Sequence, residues 1–524
     1  MKTLWTGGTI YTMVREGETV EAVLEHNGEI VATGSVHSLS PQADCIKDLR
    51  GKVMYPGFVD SHLHMIGYGE KLKHLDVSAV TSKAELLARI RERMQVTAPS
   101  EWVIAIGLNE TQFDEPSFPT LAELDTLGDA YLIVKRSCHH LLLANSKALQ
   151  FAGITVETSS PVGGIIEKVD GQLTGVLKDT ALYMIVNHMP HITPAYVEDA
   201  LEKAVKSLQS FGLVGGHSED LSYYGPPRQP IHAFRKIVEE KTSFKAHLLQ
   251  HHSVFEEVCE MGLNVEQSPY LQFGAMKIFV DGAFGGRTAA LREPYSDEPT
   301  NNGMLIHSKV RLEELVQLAR KYENTVAVHA IGDLAIETIL VVFAQYPPIH
   351  EGQVDRVIHC SLVDQGIVAK LAELPVAIDM QPQFVQGEYA AEVVRLGEER
   401  AKGVHPLKSL LDKGLIVAGG SDAPIEHPNP LHAMYAAVTR RNFGETHDGY
   451  GENEKITRFQ AVQMYTVSAA EIIGLAHNRG QIVPGFEADF TVLERDIFSV
   501  DVEEIPHIRV AYTVIDGRIV YEKC

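Results

Sequence analysis

The chain has 524 residues, 45% hydrophobic and 22% charged, the composition of a globular protein with a large buried core and room for more than one domain. Its 46 basic against 69 acidic residues give a formal charge of −23, a field that repels nucleic-acid backbones and anionic membranes and argues against both as partners. Five cysteines without a CxxC pair favour a reducing compartment over a disulfide framework.

The first eight residues lack the apolar region of a signal peptide. No apolar run approaches the ~20 residues that span a bilayer, so a cytoplasmic protein is expected. Residues 1–55 read as short strands, at 9–13, 22–24 and 30–32, the last two flanking an Asn27-Gly28 turn. The far end repeats this style at 489–493 and 514–520. An isolated hairpin is barely stable in water. Residues 1–55 and 480–524 are therefore expected to pair as one small β-sandwich domain.

Between the ends, apolar strands at 53–64, 213–219, 244–251, 273–281, 325–331, 355–361, 375–381 and 415–421 alternate with helical patterns. Helix 195–210, for example, aligns Val197, Ala200, Leu201, Ala204, Val205 and Leu208 on one face. This rhythm predicts an α/β fold, a (β/α)8 TIM barrel over 56–65 and 213–479. A doubly wound sheet is the alternative, but no GxGxxG turn follows a strand. Residues 66–212 are too long for one crossover. They hold a capped helix (Ser82-x-x-Glu85 opening 83–95), strands at 102–106 and 131–134, and turns at Gly163-Gly164 and Asp170-Gly171. They read as an inserted α/β subdomain after the first barrel strand, expected over the active site.

Polar residues break these strands near their C-terminal ends, where barrel enzymes assemble their chemistry. His62 and His64, two apart on a strand, point to one face. Lys277 lies in the fourth strand, His329 and His359 end the fifth and sixth, and Asp422 follows the eighth. Imidazole and carboxylate suit zinc, so one or two divalent ions per chain are expected. Lys277 is the odd member, because an ammonium offers a cation no acceptor. A buried lysine can lose its proton, and the neutral amine could add carbon dioxide to become an N6-carboxylated lysine bridging two ions. A salt bridge from Lys277 to Asp281 or Asp422 fits the sequence equally well.

Gly57-x-x-Asp60-x-His62-x-His64, the fourth-strand lysine, single histidines on strands five and six, and the eighth-strand aspartate together resemble the amidohydrolase superfamily. The stretches 53–64, 140–149, 277–282, 420–424 and 484–489 are similar to its N-substituted formamide deformylase (YtcJ-like) branch. The resemblance implies a metal-dependent barrel that hydrolyses carbon–nitrogen bonds of a small-molecule amide, formamide or N-acyl compound. It implies that His62 and His64 hold the more buried ion, His329 and His359 the outer one, and carboxylated Lys277 both. Asp422 would join the buried site and shuttle the proton from the activated water to the leaving amine.

Asp281, Arg287 and Gln383 lie just past strand ends, where they could touch substrate. A guanidinium at Arg287 suits a carboxylate, and a loop salt bridge is its plainer role. His140 could reach the pocket from the inserted subdomain, and His217 from the second strand; a buried, satisfied histidine is the plainer reading of each. The same barrel could instead run ester hydrolysis, decarboxylation or isomerisation, because shared fold does not fix reaction. A non-catalytic metal or small-molecule binding protein is the third reading. Whether the chain forms a homo-oligomer is left open.

Overall fold

A computed structural model describes residues 1–136, 141–161, 163–187, 189, 192–265 and 267–523. The expected site residue His140 lies outside the described residues. The chain divides into two compact units, Met1–Tyr68 with Val197–Cys524, and Gly69–Tyr196.

The first unit contains the barrel. Its eight strands are Phe58–Leu63, Leu213–Ser218, Lys245–His251, Leu271–Phe279, Val326–Ala330, Asp355–His359, Val376–Met380 and Ile416–Gly419, hydrogen-bonded in that order. Every pairing between neighbours is parallel. Seven of them fall on the strands expected from sequence; the expected strand 53–64 divides at Gly57, Val53–Pro56 joining the sheet of the chain ends and Phe58–Leu63 the barrel. Their apolar runs are buried on both faces because helices cover the outside. Helix Pro194–Ser210 does so with the face predicted from its spacing, burying Val197, Ala200, Leu201, Ala204, Val205 and Leu208.

Between the eighth strand and the first there is no strand ladder among the described residues; the Asp60 carboxylate and two backbone bonds from the residues after the eighth strand join them. The Ser421 hydroxyl donates to Asp60 at 2.6 Å, and the Ser421 and His62 amides reach the same carboxylate at 3.1 Å. The Asp422 amide donates to the His62 carbonyl at 2.7 Å. A side chain at Gly420 would put its Cβ 2.7 Å from the His62 amide nitrogen, so only glycine allows this approach. Inside the barrel, Leu249, Ala275, Ala327 and Ile358 form an apolar layer. Buried Arg356 pairs with Asp379 through two bonds of 2.8 and 2.9 Å and donates to the Ser61 carbonyl at 2.8 Å.

The chain ends form one eight-stranded sheet, joined where Val53–Pro56 pairs antiparallel with Phe490–Leu493. This is the β-rich domain built from both termini. It meets the barrel at Lys245, which is 5% exposed and bonds Glu487, Asp489 (2.6 Å) and Asp516 (3.0 Å). The second unit is a six-stranded sheet with helix Lys83–Gln95, whose N-cap Ser82 accepts from the Glu85 amide. No helix among the described residues is long and apolar enough to cross a membrane.

Arg356→Met leaves the Asp379 carboxylate buried without its partner, a loss of about 3–5 kcal/mol. Thermal melting should show a large fall for this variant. Arg356→Met combined with Asp379→Leu should recover much of it, and a double variant no better than the single one would contradict the pairing.

Candidate active site

The C-terminal ends of the barrel strands gather the histidines. Ring centres are 5.6 Å apart for His62 and His64, 5.8 Å for His62 and His359, and 4.6 Å for His329 and His359. Asp422 Oδ1 stands 3.5 Å from His62 Nε2 and 3.4 Å from His64 Nε2. One donor atom from each of these three residues lies within 4.8 Å of the other two. Two ligands at ~2.1 Å from a tetrahedral centre are about 3.4 Å apart, so the three donors fit one zinc-sized ion. Lys277 Nζ reaches His62 Nε2 at 3.1 Å from the facing wall. His329 and His359 adjoin this trio without belonging to its donor cluster.

Outer partners fix the rings. His64 Nδ1–H donates to the Glu219 carbonyl at 2.5 Å, and His359 Nδ1–H donates to Gln381 Oε1 at 2.6 Å. With the hydrogen on Nδ1 engaged, Nε2 of each ring is the nitrogen that can offer a lone pair once it carries no proton. His329 Nε2–H donates to the Gly282 carbonyl at 3.0 Å. His359 and Asp422 adopt φ of 71° and 54°, a left-handed backbone disfavoured for non-glycine residues and concentrated at functional sites.

The electrostatics follow from burial and charge. Burial, aided by the positive neighbour Lys277, holds His62 well below its ordinary value. Burial also lowers His359 to about 4. It would lower His64 too, but the hydrogen bond and charge of Asp422, with Glu219 and Asp220, raise that imidazole to about 9. Asp422 feels the converse: burial pushes its carboxyl up, and His64, His359 and Lys277 outweigh it, leaving it below its ordinary value. Burial brings Lys277 down to about 8, against the opposing charges of Glu219, Asp422 and Asp379. Lys277 is fully buried and makes no ion pair among the described residues, so neither Asp281 nor Asp422 is its salt-bridge partner.

The remaining candidates separate. Asp281 accepts amide hydrogens from Ala290, Ile331 and Gly332 at 2.8–3.0 Å and anchors loops beside His329. Arg287 pairs with Asp297 at 2.7 Å, the loop salt bridge rather than an open anion site. Gln383 is buried with Oε1 unpartnered among the described residues. His217 packs on His247, 5.0 Å between ring centres, and lines a cavity with Lys245 and Glu487 toward the terminal sheet. Sequence reasoning missed Glu219 and Asp220. Glu219 also takes the Tyr223 hydroxyl at 2.8 Å, while Asp220 accepts Ser218 Oγ at 2.6 Å and the Ile66 amide at 3.1 Å. The available signal was Ser218-Glu219-Asp220, two acids ending an apolar strand.

Residues 46–521 match the family model described as "Amidohydrolase family". The Bacillus subtilis (strain 168) protein YtcJ, an amidohydrolase by name, is 44% identical over all of both chains. The N-substituted formamide deformylase of Arthrobacter pascens is 27% identical over 98% of this chain and 97% of its own. The crystal structure of an uncharacterized metal-dependent hydrolase from Pyrococcus horikoshii OT3 superposes with a TM-score of 0.79 at 27% identity, covering 96% of this chain and 99% of that one.

Without metal, His64 stays protonated until the pH passes about 9, so a cation entering at neutral pH must displace that proton. Calorimetric titration with Zn2+ in buffers of different ionisation enthalpy should register release of about one proton, with affinity rising toward alkaline pH. Binding without proton release would contradict the assignment of His64. By the same sign, the His64–Asp422 pair stabilises the metal-free fold at neutral pH and ceases to do so above about 9.

Proposed function

Because this chain belongs to the amidohydrolase family, we propose that it is a metal-dependent hydrolase that cleaves the carbon–nitrogen bond of a small amide, formamide or N-acyl compound. One observation carries the reading: His62 Nε2, His64 Nε2 and Asp422 Oδ1 converge at the barrel mouth with spacing that fits one ion. His62, His64 and Asp422 would hold the first ion, and His329 and His359 a second; a divalent ion held there would supply Lewis-acid activation of a carbonyl oxygen and of water at neutral pH.

The chain supplies the proton transfer. Asp422 sits between His62 and His64 and is ionised, so it can accept a proton from the attacking water and return it to the leaving amine. Lys277, buried beside His62 without an ion pair among the described residues, is the amine suited to carboxylation. Its carbamate oxygens would serve both ions. The formamide-deformylase relative supports an amide substrate over an ester.

Elemental analysis of protein purified without chelator should find one to two equivalents of a divalent metal, zinc above all. Asp422→Asn keeps a ligand oxygen but cannot take the proton. On a true amide substrate, its kcat and kcat/KM should fall together by roughly 10²–10⁴. Near wild-type turnover with metal retained would assign Asp422 a structural role. Lys277→Ala should lose metal and activity, with partial rescue by short carboxylates; a fully active Lys277→Arg would refute the carbamate. Faster hydrolysis of esters than of matched amides would favour the ester reading.

A further inference from the structure

The third barrel strand, beside the one that carries Lys277, also ends in a histidine. His251 is the last residue of Lys245–His251 and the backbone partner of Lys277 on the fourth strand. Leu249, two residues earlier, belongs to the apolar layer inside the barrel. Alternate strand residues share a face, so His251 points inward too, level with Lys277. Its ring lies between Tyr223 and Phe279, at 6.1 and 5.8 Å between ring centres. Those two rings adjoin His64 at 6.2 Å and His329 at 5.2 Å. The next helix, His252–Glu260, fixes the tautomer of His251. The Ser253 amide donates to His251 Nδ1 at 3.2 Å, and the Ser253 hydroxyl lies 2.7 Å from the same nitrogen. A backbone amide can only donate, so Nδ1 carries no proton and the neutral imidazole holds its hydrogen on Nε2. Nε2 has no hydrogen-bond partner among the described residues and, unlike the buried His62 Nδ1, it remains accessible.

A preset N–H donor thus faces the barrel mouth, one ring removed from His64 and from His329. The acceptor common to amides, formamides and N-acyl compounds is the carbonyl oxygen, because resonance ties up the nitrogen's electron pair. We propose that His251 Nε2–H donates to the oxygen of the scissile carbonyl, positioning the substrate and stabilising the oxyanion that forms there. The assignment rests on the carbon–nitrogen hydrolysis proposed above. As the water oxygen bonds to the carbonyl carbon, the carbonyl electron pair moves onto its oxygen and Asp422 takes the water's proton. Collapse re-forms the carbonyl, breaks the carbon–nitrogen bond and sends that proton to the leaving nitrogen. His251 keeps its own proton throughout. A donor fixed in advance toward developing charge needs no reorganisation at the moment of reaction.

The test uses the metal-loaded full chain and N-butylformamide. His251→Phe keeps a ring without the N–H, and its kcat and kcat/KM should fall together by roughly 10²-fold, the worth of one such donor. His251→Gln brings an amide N–H to a similar reach and should recover about 10-fold of that loss. A His251→Phe variant within about threefold of wild type, or a fall confined to KM, would overturn the proposal. So would a His251→Gln variant no better than His251→Phe. Loss of metal from His251→Phe that added bicarbonate restores would overturn it too, since the N–H would then serve a carboxylated Lys277. If the wild type hydrolyses neither this formamide nor other simple amides, the hydrolysis reading fails by itself. Calorimetric binding of methylphosphonate, a tetrahedral anion, would still support His251 as the donor if His251→Phe weakened it about 10-fold or more. Unchanged binding would refute it.

Discussion

The site depends on how the barrel closes. The eighth strand and the first are held together less by a ladder than by one carboxylate, Asp60, which takes the Ser421 hydroxyl and amide and the His62 amide. That clasp fixes two backbones at once: the segment carrying His62 and His64, and the segment carrying Asp422. The amide of Asp422 then reaches the His62 carbonyl, and Gly420 allows the approach because it has no Cβ. Three donor atoms from opposite ends of the sheet order meet as a consequence of closure.

Charge is distributed along the barrel by the same logic of burial. Deep charges have fixed partners. Arg356 is matched to Asp379 by a two-bond fork, and Lys245 is surrounded by Glu487, Asp489 and Asp516. These pairs hold the interior and its junction with the terminal sheet. At the mouth the pairing is looser: Lys277 stands 3.1 Å from His62, and Asp422 3.5 Å from His62 and 3.4 Å from His64, with burial pulling the bases and the acid in opposite directions. A cation entering there meets donors already turned inward by Glu219 and Gln381 on their far sides. Preorganisation of this kind is what second partners of metal ligands provide.

The loops beyond the strands divide into anchors and open groups. Asp281 ties three amides, and Arg287 closes on Asp297, so neither presents a free charge. The helix after the seventh strand is different. It carries an aromatic ring onto His359 and, further along, a buried Glu392 whose Oε2 has no hydrogen-bond partner among the described residues. Specificity in a barrel of this type resides in such segments, because the strands are constrained by packing and the loops are not.

The sequence by itself determined the barrel and the identity of its polar strand ends. Alternation of apolar strands with a 3.6-residue helical pattern is a local property, and a polar residue ending a buried apolar run stands out without coordinates; His62, His64, Lys277, His329, His359 and Asp422 were all legible this way. The pairing of the two chain ends was legible too, since neither set of short strands can bury its apolar side alone. What only the tertiary structure decided was partnership. Nothing in the order of residues indicates that Arg287 meets Asp297, that His217 packs toward the terminal sheet, or that Lys277 forms no ion pair among the described residues. Glu219 escaped notice because its part is to turn His64 from a neighbouring strand, and the buried Glu392–His405 pair because an acid on a helix reads as a solvated face. Contacts between residues far apart in the chain depend on closure and register, and those are set by the packing of all eight strands together.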